Sequence, residues 1–242
     1  MIKIENVKIY GGEEAIHGMR NSFNSWAKSD SYQTVIENKT TGQTAPFEFF
    51  IGEKDLLLMA RLAASGAPER KFMRFITVYF DITAPLYWWK QMDTYKIAVD
   101  RNSCSTMHTI TERDLTLDDF SHEHLIDINR KVLESTIKAI NDSRAVYLKY
   151  DGHEEELKRN FNVDTQKDIW WQIIQLLPSS FNQRATIKCN YEVLLNIYEW
   201  RKNHKLDEWR DFCKWIETLP YSELITGSAN INKINNSEVK SK

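Results

Sequence analysis

Residues Phe72 to Thr83 read Phe-Met-Arg-Phe-Ile-Thr-Val-Tyr-Phe-Asp-Ile-Thr and stop at Ala84-Pro85. β-branched and aromatic side chains in a row fit a pleated, half-buried surface, and a proline withholds the next ladder donor. The run predicts a central strand, so the chain must build a sheet there and cover it. Ile2 to Tyr10 alternates loosely up to Gly11-Gly12 and predicts a second strand closed by a turn.

Helical spacing dominates the remainder. Ile16, Met19, Phe23 and Trp26 recur three or four apart within Glu13 to Lys28, and Glu53 to Ala64 reads as a helix stopped by Ser65-Gly66-Ala67-Pro68. Ser29 to Gln43 is a loop or ragged strand by composition. A short helix follows from Leu86 to Gln91, whereas Tyr95 to His108 keeps no period. In Asp118 to Asn141, Leu125, Ile128, Val132, Thr136, Ile137 and Ile140 form one stripe, with Asp118 or Ser121 as N-cap. Asp164 to Leu177, ended by Pro178, Thr186 to Asn203, and Leu206 to Leu219 predict three further helices. No repeat or linker interrupts the pattern. The expectation is one α+β domain over 1–220, and a Ser/Asn/Lys-rich tail over 221–242 that stays disordered.

With 42% apolar and 27% charged residues, the 242-residue chain can bury a full core. A net charge of −2 gives no global field for nucleic acid or an anionic membrane. The longest aliphatic stretch, Leu56 to Ala60, is too short for a bilayer, and the polar start has no signal-like hydrophobic region, which predicts a cytoplasmic location. Cys104, Cys189 and Cys213 are odd in number and widely spaced, so free thiols are expected rather than disulfides or a zinc site.

His122-x-His124 places two imidazoles on roughly opposite sides of a helix, and no metal is expected there. Asp118-Asp119 and Glu154-Glu155-Glu156 read as solvated faces. The signatures of phosphate loops, dinucleotide folds and nucleophile elbows are missing from the sequence. Gln91 to His108 instead gathers amide, hydroxyl, thiol, aromatic and cationic side chains just past a buried strand. That is the composition of a polar pocket for a small anion or nucleotide, or of a plain polar connection.

Two blocks resemble the flavin-dependent thymidylate synthase family. The first is the strand to Thr83, the Ala84-Pro85 turn and the helix reaching Gln91, after which the family carries an Arg-His-Arg…Ser…Arg signature. The second is Leu177-Pro178, with Asn190 twelve residues after the proline and Arg201 eleven after that, and then His204 and Glu208-Trp209-Arg210. The resemblance spans about Leu56 to Leu219 and implies a central, mostly antiparallel sheet with helices around it.

The signature itself is altered. Thr94-Tyr95-Lys96 replaces Arg-His-Arg, Cys104 takes the serine position and Thr106 the last arginine, while Asn190-Tyr191-Glu192 replaces an Asn-x-Arg. A carboxylate at 192 should repel a substrate phosphate, which Lys96, Arg101 or Arg184 would have to offset.

The resemblance implies FAD, with methylenetetrahydrofolate and NADPH as co-substrates, dUMP or a related pyrimidine nucleotide as substrate, and a homotetramer with flavin at subunit interfaces. It places Tyr95, Lys96, Asn190 and His204 at the cofactor, and Gln91, Arg101, Ser103, Ser105 and Arg184 at the substrate. Cys104 becomes a candidate nucleophile if Lys96 or Arg101 lowers its pKa. Two alternatives stay open: a non-catalytic nucleotide- or flavin-binding protein that kept the fold, and an interaction module using Trp88-Trp89 and Trp170-Trp171.

Overall fold

The computed structural model describes residues 2–34 and 48–227. β1 (Lys3–Tyr10) turns at Gly11 into α1 (Gly12–Arg20), and two 3-10 turns lead to β2 (Tyr32–Thr34). β2 pairs antiparallel with β3 (Glu48–Phe50), Tyr32 opposite Phe50. α2 (Glu53–Ala64), a 3-10 segment (Arg70–Arg74), β4 (Thr77–Pro85), α3 (Leu86–Met92), β5 (Asp100–Ser103) and α4 (Thr106–Thr109) follow. A 3-10 turn (Leu117–Asp119) precedes α5 (Asp127–Lys149), α6 (Glu154–Phe161) and α7 (Gln166–Leu176), and β6 (Asn182–Asn190) leads into α8 (Tyr191–Arg201), α9 (Asp207–Glu217) and α10 (Glu223–Thr226). The main sheet is antiparallel in the order β1-β4-β6-β5, so the fold is α+β with a central sheet.

Packing groups the chain into two compact units, one of Met1–Ile4, Asp81–Thr94 and Arg101–Thr186, the other of Glu5–Phe80, Tyr95–Asp100 and Ile187 onward. Inside the first, Leu133, Ile137 and Ile140 of α5 and Ile173 of α7 close on Ile110, Leu115 and Phe120. α7 starts with a capping box, Thr165 with Asp168, and Trp88 and Trp89 are buried edge to face, 5.0 Å between ring centroids. Inside the second, Phe80, Phe212 and Trp215 form an aromatic core, Phe80 to Trp215 at 4.7 Å.

Asp55, fully buried, fastens the Ser29–Ser31 stretch of the second unit. It accepts from Arg20 Nε at 2.6 Å and from the hydroxyls of Ser29 and Ser31 at 2.5 and 2.6 Å. Burial pushes its pKa up, but these hydrogen bonds and the Arg20 charge outweigh that and hold the carboxyl below its ordinary value. Gly11, at φ 88°, is required at the β1–α1 turn, because a Cβ there would lie 2.0 Å from the Phe75 carbonyl oxygen.

Several boundaries depart from expectation. Phe72 and Met73, both buried, belong to the 3-10 segment, and β4 begins at Thr77. Thr186 to Asn190 is strand, not helix: Ala185, Ile187 and Cys189 are buried while Arg184, Thr186 and Lys188 are exposed. α1 ends at Arg20, before Phe23 and Trp26.

α5 starts at Asp127 behind Ile126, not at Asp118, which sits in the preceding 3-10 turn, or Ser121, whose hydroxyl bonds Asn182 Oδ1 at 2.9 Å. Ile128 and Val132 of the predicted stripe are exposed. Within the stretch expected as a tail, α10 buries Leu224 and Ile225; residues 228–242 lie outside the described residues.

Candidate functional site

The predicted site residues fall into two groups, one in each unit. In the first unit, Gln183 at the start of β6 is the organising side chain. Its carbonyl accepts from Trp89 Nε1 at 3.0 Å, its Oε1 accepts from Arg101 at 2.7 Å, and its Nε2 donates to the Cys104 carbonyl at 3.0 Å and to Thr106 Oγ1 at 3.3 Å. α3, β5 and the turn into α4 are thereby tied to β6.

Arg101 also reaches Asp93 at 2.6 Å and lies over the Trp89 ring, 3.8 Å from its centroid. Cys104 is exposed, its N–H donating to the Arg184 carbonyl at 2.8 Å and its Sγ 3.8 Å from Thr109 Oγ1. Ser105 accepts from Thr109 Oγ1 through its carbonyl at 3.0 Å, and Ser103 ends β5 beside Cys104. Gln91, at the end of α3, holds Thr94 through its carbonyl at 2.7 Å. Arg184 pairs with Asp81 at 2.7 Å. The unit thus brings Arg101, Cys104, Ser105 and Arg184 into one hydrogen-bonded neighbourhood.

In the second unit, Tyr95 and His204 gather around Arg201 and Trp209. Arg201 Nε donates to the Tyr95 hydroxyl at 2.9 Å, and its guanidinium lies 4.7 Å from the centroid of the buried Trp209 ring. Tyr95 and His204 meet Trp209 edge-on at 6.0 and 6.3 Å. His204 Nδ1 accepts the Leu206 N–H at 3.1 Å, which leaves a neutral ring's proton on Nε2. Burial, then the charges of Arg201, Arg210 and Lys205, lower the His204 pKa, so this corner is locally cationic.

Lys96 follows Tyr95 and is exposed. Asn190 is buried and its Oδ1 accepts the Val193 N–H at 3.0 Å, capping α8. That cap gives Asn190 a structural role that spacing alone did not reveal.

Glu192 does not stand alone as a repelling carboxylate. Arg74 is hydrogen-bonded to it and Arg70 lies 3.8 Å away, so two guanidiniums surround one carboxylate. The sequence reading missed Gln183, Arg70 and Arg74. Arg74 falls inside the expected strand and Arg70 in no expected element, whereas both belong to one 3-10 segment.

Among the described residues, no group of three or more His, Cys, Asp or Glu side chains is placed to hold a metal ion, and no helix is long and apolar enough to cross a membrane.

No family model and no curated protein matches the sequence. Solved structures do match the fold. Thymidylate synthase X from Helicobacter pylori, crystallised with FAD and dUMP, superposes with a TM-score of 0.59 at 15% identity, over 93% of this chain and 97% of that one. A second structure of the Helicobacter pylori enzyme, also with FAD and dUMP, gives 0.59 at 16% identity with the same coverage. The UMP/dUMP methylase PolB from Streptomyces cacaoi, bound with 5-Br dUMP, gives 0.55 at 13% identity, over 94% of this chain and 95% of that one. The chain has the fold of the flavin-dependent thymidylate synthases.

Proposed function

We propose that this protein is a flavin-dependent enzyme that transfers a one-carbon unit to a pyrimidine nucleotide, dUMP or a close relative. The observation that carries the reading is near full-length agreement of fold with structures holding FAD and dUMP or a brominated dUMP. FAD suits the residues of the second unit. A flavin dinucleotide needs flat side chains for its rings and cations for its pyrophosphate. Tyr95 and His204 supply half-buried rings, and Arg201, Arg210 and Lys205 supply positive charge close enough to disfavour protonation of His204. When bound, FAD would supply the redox chemistry of the transfer.

The chain's own residues have the simpler tasks of binding and orientation. Tyr95, Lys96 and His204 hold the cofactor, with Asn190 fixing the start of α8. Gln91, Arg101, Ser103, Ser105 and Arg184 hold the nucleotide. Gln183 fixes the loop carrying Cys104, whose exposed thiol is the candidate nucleophile. Methylenetetrahydrofolate as carbon donor, NADPH as reductant and a homotetrameric assembly complete the proposal.

Purification tests it. The expected protein is yellow, or takes up FAD with a rise in melting temperature, and Arg201→Ala weakens FAD uptake. A colourless protein that FAD does not stabilise refutes the reading. FAD and dUMP binding without release of the pyrimidine C5 hydrogen, in the presence of both co-substrates, would identify a non-catalytic binding protein.

A further inference from the structure

Away from these groups, the second unit contains a cavity of about 650 Å³ where β1 turns into α1, within the size range of small-molecule sites. Tyr10, Phe50, Tyr191 and Tyr221 line it, together with Glu13 and Glu14. The walls are fastened from behind. The Phe50 ring stacks on Tyr32 at 5.6 Å, the Tyr191 hydroxyl donates to the Pro220 carbonyl at 2.5 Å, and the Tyr221 hydroxyl accepts the Ile51 N–H at 3.1 Å. Gln33 Nε2 donates to Glu13 and fixes that carboxylate. Tyr221 also keeps a left-handed backbone, φ 55°, which strains a bulky residue and is the kind of strain that collects at ligand clamps.

The carboxylates set the sign of the occupant. Glu13 and Glu14 bring two negative charges, whereas the start of α1, in whose first turn they lie, contributes about half a positive one. The stretch 35–47 between β2 and β3 holds Glu37 and Lys39 and adds no net charge to the chain. An anionic ligand would meet like charge there. The rings set the kind of cation. An aromatic face is electrically negative and attracts an ammonium group that has shed its water, while the ring area takes up the attached hydrocarbon.

We infer that this cavity binds an alkylammonium cation, a choline-like quaternary amine or an aliphatic diamine, with its hydrocarbon against the tyrosine and phenylalanine rings and its charge beside Glu13 and Glu14. The inference goes beyond the flavin reading and does not depend on it.

Calorimetric titration of the full chain with choline and with putrescine provides the test. At least one should bind saturably with a Kd below about 1 mM, and the tighter of the two tells a quaternary from a primary amine site. Neohexanol and butanediol, their uncharged counterparts, should bind about tenfold more weakly or worse. Glu13→Gln combined with Glu14→Gln should weaken the better probe about tenfold or more. Tyr10→Leu should also weaken it, whereas Tyr10→Phe, which keeps the ring, should not. FAD uptake should be the same in all these variants as in the unsubstituted chain. Absence of saturable binding of both probes, equal affinity for the uncharged counterparts, an affinity that the paired Glu substitutions leave unmoved, or displacement of the probe by FAD would each overturn the inference.

Discussion

Replacing Asp55 by Asn keeps the side chain's shape and removes its charge. Arg20 would then be left at 5% exposure with its carboxylate gone, and the Ser29 and Ser31 hydroxyls would lose an anionic acceptor. Breaking a buried pair by removing one partner costs about 3–5 kcal/mol, because the remaining charge cannot recover its hydration. For a chain of this length each kcal/mol lowers the melting temperature by about 2–4 °C, so Asp55→Asn should melt roughly 6–20 °C lower.

The pH dependence has a definite sign. The folded pKa of Asp55 lies below its ordinary value of 3.8, so its contribution is complete above the unfolded pKa and disappears as pH falls through the folded one. The gap between the two proteins in thermal melts followed by circular dichroism should be constant from about pH 5 to 8 and shrink below about pH 4. Substituting both partners with apolar residues, Arg20→Met with Asp55→Leu, should recover much of the loss. A loss under about 1 kcal/mol in Asp55→Asn, or a gap that widens on acidification, would refute the argument that a desolvated ion pair anchors this stretch.

Gly11→Ala combines a left-handed backbone with a clash against the Phe75 carbonyl, and should cost about 2 kcal/mol or more in denaturant titration. Iodoacetamide at neutral pH should modify Cys104 alone in the folded protein, since Cys189 and Cys213 are buried and burial pushes both thiols up to about 12; mass spectrometry after digestion would locate the label. The His204 ring should titrate below 6.5 by nuclear magnetic resonance, and Arg201→Gln should move it upward by removing one of the charges that face it. Over that interval the depressed pKa makes the folded protein less stable as pH falls, because the unfolded chain takes up the proton first.

How far the sequence can be read depends on how locally each residue's environment is determined. α2 matches its predicted bounds because its stop signal, Ser65-Gly66, acts on the helix it follows. β6 was hidden because Ile187 and Cys189 continue smoothly into the apolar positions of α8, and only burial separates the strand's alternation from the helix's turn. The α5 stripe was misplaced because Ile128 and Val132 repeat at helical spacing, yet burial is concentrated on Leu133, Ile137 and Ile140.

The site divides along the same line. Spacing from Ala84-Pro85 and Pro178 singles out Gln91, Cys104, Asn190 and Arg201 as candidates, each set by its position in the chain. It could not show that Gln183 bridges Arg101 to Cys104, nor that Arg70 and Arg74 surround Glu192, because those partners are 79 residues or more apart.

The way the two units share the chain also sets an order of birth. The first unit has all its residues once Thr186 has been made, whereas the second, though it owns the early stretch from Glu5 to Phe80, lacks α8, α9 and α10 until after that point. On a ribosome adding about 5–20 residues per second, the earlier half of that second core is exposed for several seconds before its closing helices emerge. The buried faces of α1 and α2 are therefore where a nascent chain of this protein most needs a chaperone.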